Sequence, residues 1–211
     1  LLIGADDMAF PRLNALTFWL IPPVAVTLMA TPFLGGIETG WTAYPPLSTT
    51  TNSSQILFDL AIITFGLTSI LGGLNFLVTI IYMRAPGMTW GRLPIFVWSM
   101  FVTSWMALLF TQGFAVALLM VILDRVAGMA FFKQEAGGDP LLYQHVFWFY
   151  SHPAVYIMVL PGFGLALEII SHFSRKPLFA YRYAVGAFLG ILGLSGVVWA
   201  HHMFTSGMPN Y

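Results

Sequence analysis

Five long stretches of the chain carry no Asp, Glu, Lys or Arg: residues 13–37, 60–83, 93–123, 140–167 and 183–211. The hydrocarbon core of a bilayer is about 30 Å thick, so a helix needs roughly 20 apolar residues to cross it. Each stretch contains a helix core of that length, and the pattern predicts five spans. A sixth stretch, residues 39–58, also lacks charge. It is rich in Thr, Ser and Pro, which favour turns, and it is expected to be a loop. The GGDP sequence at 137–140 reads as a turn, because Gly and Pro punctuate there. No repeat of the solenoid kind is evident, and nothing reads as a linker. The expectation is one all-α, polytopic membrane domain.

Composition supports the bilayer as solvent. Of 211 residues, 58% are hydrophobic and 8% charged, where a soluble domain averages about 25% charged. Mean hydropathy is +0.83. Net charge is zero, which gives no argument for nucleic-acid binding, and the absence of cysteine excludes disulfides and thiolate metal sites. The chain starts at Leu1 inside an apolar stretch, with no Lys or Arg before it. That reads as an internal fragment of a longer polytopic protein.

Charge also predicts orientation. With five spans the connections alternate sides, placing Arg12, Arg84, Arg92, Arg175, Lys176 and Arg182 on one side and Arg125 and Lys133 on the other. Six against two assigns the N-terminal end to the cytoplasmic side. Loops 38–58 and 124–142 then face outside, where Trp41, Tyr44 and Trp148 suit the interface.

Candidate chemistry lies in two apolar segments, HPAVY (152–156) and VWAHHMF (198–204). At 1.5 Å per residue, His152 lies roughly 24–30 Å from the inner end of the fourth span, and His201 about 27 Å along the fifth. Both reach the same depth in the outer half. Neutral imidazoles suit copper, iron and zinc, and without cysteine or a nearby carboxylate the trio His152, His201 and His202 favours copper or a related first-row metal. Adjacent helical residues point about 100° apart, so both His201 and His202 reach one ion only if the helix end is distorted. Pro153 removes a backbone donor from the other helix. Tyr156 lies one turn from His152 on the same face. A phenol beside a histidine ligand can supply a proton and an electron, which points to redox chemistry. His145 and His172 read as packing or helix-end residues.

The chain resembles the haem–copper oxidases at these residues, in the middle of their catalytic subunit. DMAFPRLN (7–14), GWTAYPPL (40–47), SILGGLNF (69–76), GGDPLLYQHVFWF (137–149), HPAVYIMVLPGFG (152–164) and VVWAHHMFTSG (197–207) stand in family order and cover essentially the whole chain. The resemblance implies that residues 1–211 are a partial core holding family helices three to seven of about twelve. It implies that His152, His201 and His202 bind copper B, and that Tyr156 is the active-site tyrosine, covalently joined to His152 in the family. Trp148 is expected beside the centre and Trp41 near a haem propionate. The high-spin and low-spin haems would have their ligands outside this fragment. Asp7, Asn14 and Asn75 match the family's main proton path. The residues themselves fit this reading: Asp7 lies at the inner mouth, and Asn14 stands two turns up the same face. A helix N-terminal carboxylate and an interhelical hydrogen bond are the plainer readings of Asp7 and Asn75.

Two departures matter. Many relatives have HPEVY, whose glutamate ends the proton path; here that position is Ala154. Tyr150 lies one turn earlier with Ser151 beside it, and YSHP resembles a prokaryotic branch in which Tyr and Ser replace the glutamate. Tyr150 and Ser151 are therefore expected to complete the path. Leu167 stands where many relatives place a serine on a second path, and the adjacent Glu168 reads either as its entrance or as a surface carboxylate.

The resemblance implies a terminal oxidase reducing dioxygen to water with coupled proton pumping. Electrons would come from cytochrome c through a copper-bearing second subunit, alongside other oxidase subunits in the bilayer. It favours a prokaryotic plasma membrane over the mitochondrial inner membrane. The fragment alone is expected to be inactive. The alternatives are a quinol oxidase with the same core, a nitric oxide reductase relative, against which Tyr156 argues, and a metal transporter with a His site.

Overall fold

The computed structural model describes residues 2–208. Its helices are α1 (Pro11–Ala30), α2 (Leu47–Thr50), α3 (Ser54–Tyr82), α4 (Ile95–Val126), α5 (Pro140–Ser174) and α6 (Tyr181–Ser195), with short 3₁₀ turns between them and no strand among the described residues. Four segments are long and apolar enough to cross a membrane: Pro11–Leu34, Ser54–Tyr82, Ile95–Val126 and Pro140–Ser174. Their ends follow local chemistry. Pro11 opens α1, where a missing N–H costs nothing. Asp139 caps α5 by accepting from the Leu141 N–H, with Pro140 at the first helical position.

The fifth expected span takes a different form. Helix α6 has 15 residues, or about 22 Å, short of the hydrocarbon thickness. It gives way at Gly196 to a turn and then to a 3₁₀ segment, Trp199–Met203. Gly196 lies against Phe110, where an added Cβ would sit 3.2 Å from the ring. Irregular backbone at membrane depth is tolerated where protein covers it or where it lines a cavity. Residues 209–211 of that stretch lie outside the described residues.

Helices α1, α3, α4 and α5 pack in chain order, with α6 against α4 and α5. Helix α5 packs tightly on α4 where Gly164 meets Ser99 and Phe96. One apolar cluster (Phe58, Leu118, Tyr143, Phe147, Trp148, Met203) fills the end where α3 and α5 begin. A second (Val102, Met106, Phe110, Leu160, Phe188) fills the α4–α5–α6 seam. Phe18, Trp19, Val26 and Met29 on α1 and Met158 on α5 stay exposed, as expected of helices whose surroundings are themselves apolar.

The loop expected over 39–58 holds the single turn α2, and α3 begins at Ser54, before the charge-free stretch. Asp59 is consequently inside a helix and fully buried. Arg125 at the end of α4 fastens this loop by donating to the carbonyls of Ser48, Thr51 and Asn52 at 2.6, 2.7 and 2.6 Å.

Candidate metal centre

His145, Trp148 and His152 are spaced three and four residues apart on α5, which aligns them on one helix face. The 3₁₀ segment after α6 lies along that face. Trp199 Nε1 donates to His145 Nδ1 at 3.3 Å. The Trp148 indole stacks flat on the His202 imidazole, with centroids 3.7 Å apart and planes 3° from parallel. The His152 ring is 4.5 Å from that of His201 and 5.4 Å from that of His202. The three histidines that sequence places at one depth are therefore brought together.

The chemistry of this donor set fits a metal. One nitrogen from each ring lies within 4.8 Å of the others. His152 Nδ1 and His202 Nε2 face each other at 3.2 Å, and two such ring nitrogens can share only one proton between them. His201 Nδ1 is bonded to the Val198 carbonyl, which places its proton there and leaves the Nε2 lone pair free. His152 is buried, and its Nε2 has no hydrogen-bond partner among the described residues. Neutral nitrogen donors with no carboxylate in the group suit copper, iron or zinc over magnesium or calcium.

Tyr156 packs edge-on against His152, with ring centroids 4.8 Å apart. Behind Trp148, the indole N–H donates to the Tyr44 hydroxyl. Burial pushes the Tyr44 phenol up from its ordinary value, and the bond from Trp148 opposes the shift. Trp41 meets Trp148 edge-on at 5.9 Å and Phe147 at 5.6 Å, with most of its surface exposed. Its loop is held by Tyr143, whose hydroxyl donates to the Thr42 carbonyl at 2.8 Å.

A family profile described as cytochrome C and quinol oxidase polypeptide I matches residues 1–211. The chain belongs to this oxidase polypeptide I family. It is 51% identical over 210 residues, 99% of its length, to the cytochrome c oxidase subunit 1 of Thermostichus vulcanus. It is 49% identical over 212 residues to the protein of that name from Synechocystis sp. (strain ATCC 27184 / PCC 6803 / Kazusa), and 48% over 217 residues to that from Cereibacter sphaeroides. In each case it spans 38% of the relative's own length. Membership of the oxidase polypeptide I family removes the metal-transporter reading.

Other residues singled out in this oxidase sequence are placed less uniformly. Asp7 and Asn14 are exposed and line one groove of about 640 Å³ with Thr17, Thr68 and Ser69. Asn75 is buried and spends its amide on the Phe10 backbone, accepting from the N–H at 2.9 Å and donating to the carbonyl at 3.1 Å. It clamps the start of α1 to α3 and does not line that groove. Tyr150 stacks on Phe114 at 4.9 Å, and Ser151 is buried beside His152. The Glu168 carboxylate faces the Phe96 N–H at 3.5 Å, at the first turn of α4.

Three contributors escaped the sequence reading. The Tyr44 contact with Trp148 spans 104 residues, and no local pattern reports such a pairing. His145 reads as a packing residue, yet it fixes the segment bearing His201 and His202; its spacing from Trp148 and His152 was the available signal. Asp59 falls between the expected loop over 39–58 and the span from 60, and a charge at that boundary gives no signal that it is buried.

Proposed function

We propose that this chain is the central part of the catalytic subunit of a haem–copper terminal oxidase. Its domain is family helices three to seven, and the whole enzyme reduces dioxygen to water with coupled proton pumping. The convergence of His152, His201 and His202 carries the reading. His152, His201 and His202 would hold copper B; the haems take their ligands from sequence beyond residues 1–211. When bound, the metal and the high-spin haem supply dioxygen binding and electron transfer.

The chain's own residues supply position and protons. Trp148 lies flat on His202 and limits ring rotation, while Val198 fixes the His201 tautomer. Tyr156 holds a proton on its hydroxyl beside His152 and can release it with an electron. Asp7 and Asn14 admit protons from the groove they share. Tyr150 and Ser151, one turn before Ala154, complete the path, and Asn75 braces it by clamping α1 to α3. Trp41, edge-on to Trp148, belongs to the haem-propionate side. The Lys and Arg distribution supports an N-terminal end on the cytoplasmic side of a bacterial plasma membrane.

The names of the three relatives favour cytochrome c over quinol as donor, delivered through a copper-bearing second subunit. The test is the full-length protein with its subunits. A carbon-monoxide-sensitive haem band and oxygen consumption with reduced cytochrome c are expected. Oxygen consumption with quinol alone would move the assignment to a quinol oxidase, and absence of the band would refute the haem–copper reading.

A further inference from the structure

Asp59 has no task in the scheme above. It stands in the second turn of α3 and is completely buried. Gln55 Nε2 donates to its Oδ1 at 2.8 Å, and Gln55 Oε1 accepts from the Thr39 hydroxyl at 2.8 Å. Asp59 Oδ2 has no hydrogen-bond partner among the described residues. The nearby cation is Arg125, whose terminal nitrogens are committed to the carbonyls of Ser48, Thr51 and Asn52.

Polar side chains stand between this carboxyl and the histidines. Tyr143 lies within electrostatic reach of both Asp59 and Tyr44, and the two phenol rings are 6.0 Å apart. Tyr44 accepts from Trp148, which lies on His202. A purely structural role would be met by an amide, since Asn can accept the Gln55 bond as well. What a carboxyl adds is a second oxygen that can gain and lose a proton. Burying an ionisable group without a bonded counter-ion is costly, and such groups within membrane helices are functional by default.

We propose that Asp59 is a proton-holding carboxyl for the metal centre, on the side of the 39–58 loop. Its Oδ2–H bond forms when the centre gains an electron and the local field turns negative; the proton comes from a hydronium ion, whose O–H bond breaks to leave water. The bond breaks when that charge is neutralised, and the proton leaves toward the loop. No electron moves at Asp59. This inference rests on the oxidase reading, and one of its two measurements is independent of pumping.

The experiment uses the full-length oxidase with Asp59→Asn and Asp59→Glu. Proton release per electron is measured in sealed vesicles. Redox infrared difference spectra are recorded in the carbonyl region of a protonated carboxyl, in light and heavy water. The Asn variant is expected to keep oxygen consumption and metal content, lose proton release, and lose one deuterium-sensitive carboxyl band. The Glu variant should restore release and shift that band. An Asn variant with the native band and native release overturns the proposal. If the Asn variant fails to assemble, the Glu variant decides: a shifted band supports the proposal and an unmoved band overturns it. A native enzyme that consumes oxygen without releasing protons removes the pumping part of the function reading, and the infrared band still decides the role of Asp59.

Discussion

Gly164→Ala measures how closely α4 and α5 must approach for the centre to form. A Cβ at position 164 would overlap Ser99 Oγ and stand 2.6 Å from Ser99 Cβ and 3.1 Å from Phe96 Cα. Carbon atoms in good contact sit about 3.5–4.0 Å apart, so the helices must part locally by roughly 1 Å. Phe96 Cα is backbone and cannot swing aside. Ser99 is fully buried, and its hydroxyl is bonded to the Phe96 carbonyl at 2.8 Å. Overpacking of this kind costs about 1–3 kcal/mol. The same seam continues to Gly113, where an added Cβ would meet the Val146 carbonyl at 3.4 Å, so separation at Gly164 strains the level of His152. The assay is thermal inactivation of the full-length protein, read by its carbon-monoxide-sensitive haem band and its copper content. Gly164→Ala should lower the midpoint, and adding Ser99→Gly should recover more than half of the loss by removing the nearer carbon. Two contacting residues are expected to be non-additive. An unchanged midpoint in Gly164→Ala, or simple additivity in the double variant, would refute the close-packing account.

Tyr44→Phe leaves the Trp148 indole N–H without its acceptor, at a cost of about 1–3 kcal/mol. Ultraviolet resonance Raman of the indole should report a weaker hydrogen bond, and an unaltered spectrum would count against the Tyr44 contact. His202→Ala removes one of the three proposed ligands and the ring on which Trp148 stacks. Metal analysis should show loss of copper with haem retained, whereas full copper content would exclude His202 as a ligand. Tyr150→Phe should impair proton uptake and pumping while metal content stays native; normal turnover and pumping would sink the Tyr150 assignment. Trp199→Phe cuts the bond to His145 and should loosen copper binding, measured as faster loss to a chelator; an unchanged rate means the segment is held by other contacts.

Much of this arrangement was legible along the chain because membranes impose simple rules. Charge-free stretches marked α1, α3, α4 and α5, and rise per residue put His152 and His201 at one depth. The need for a distorted backbone at His201 and His202 was also readable, since neighbours on an α-helix diverge. Its form was not: the 3₁₀ segment follows Gly196, which lies against Phe110, a contact between distant residues. Asp59 shows the limit of counting charges, because a charge was taken to end a span when it was in fact enclosed by Gln55 and Tyr143. Tyr44 was visible only as an interfacial aromatic. Its partnership with Trp148 arises from the way Tyr143 holds the Thr42 carbonyl.

The stripe of His145, Trp148 and His152 also bears on when the site comes into being. His145, Trp148 and His152 meet Trp199, His202 and the His201–His202 pair on the next stretch of chain, and His152 and His202 are only 50 residues apart in sequence. Contacts of short sequence separation form early, because little chain must be closed to make them. Once α5 and α6 have inserted as a pair, Trp199 can dock on His145 and Trp148 on His202 before any ion arrives. The contacts that shape the pocket are thus supplied by a hairpin. On the proposed oxidase reading, copper delivery is expected to be a late step of biogenesis, acting on a cup that is already shaped.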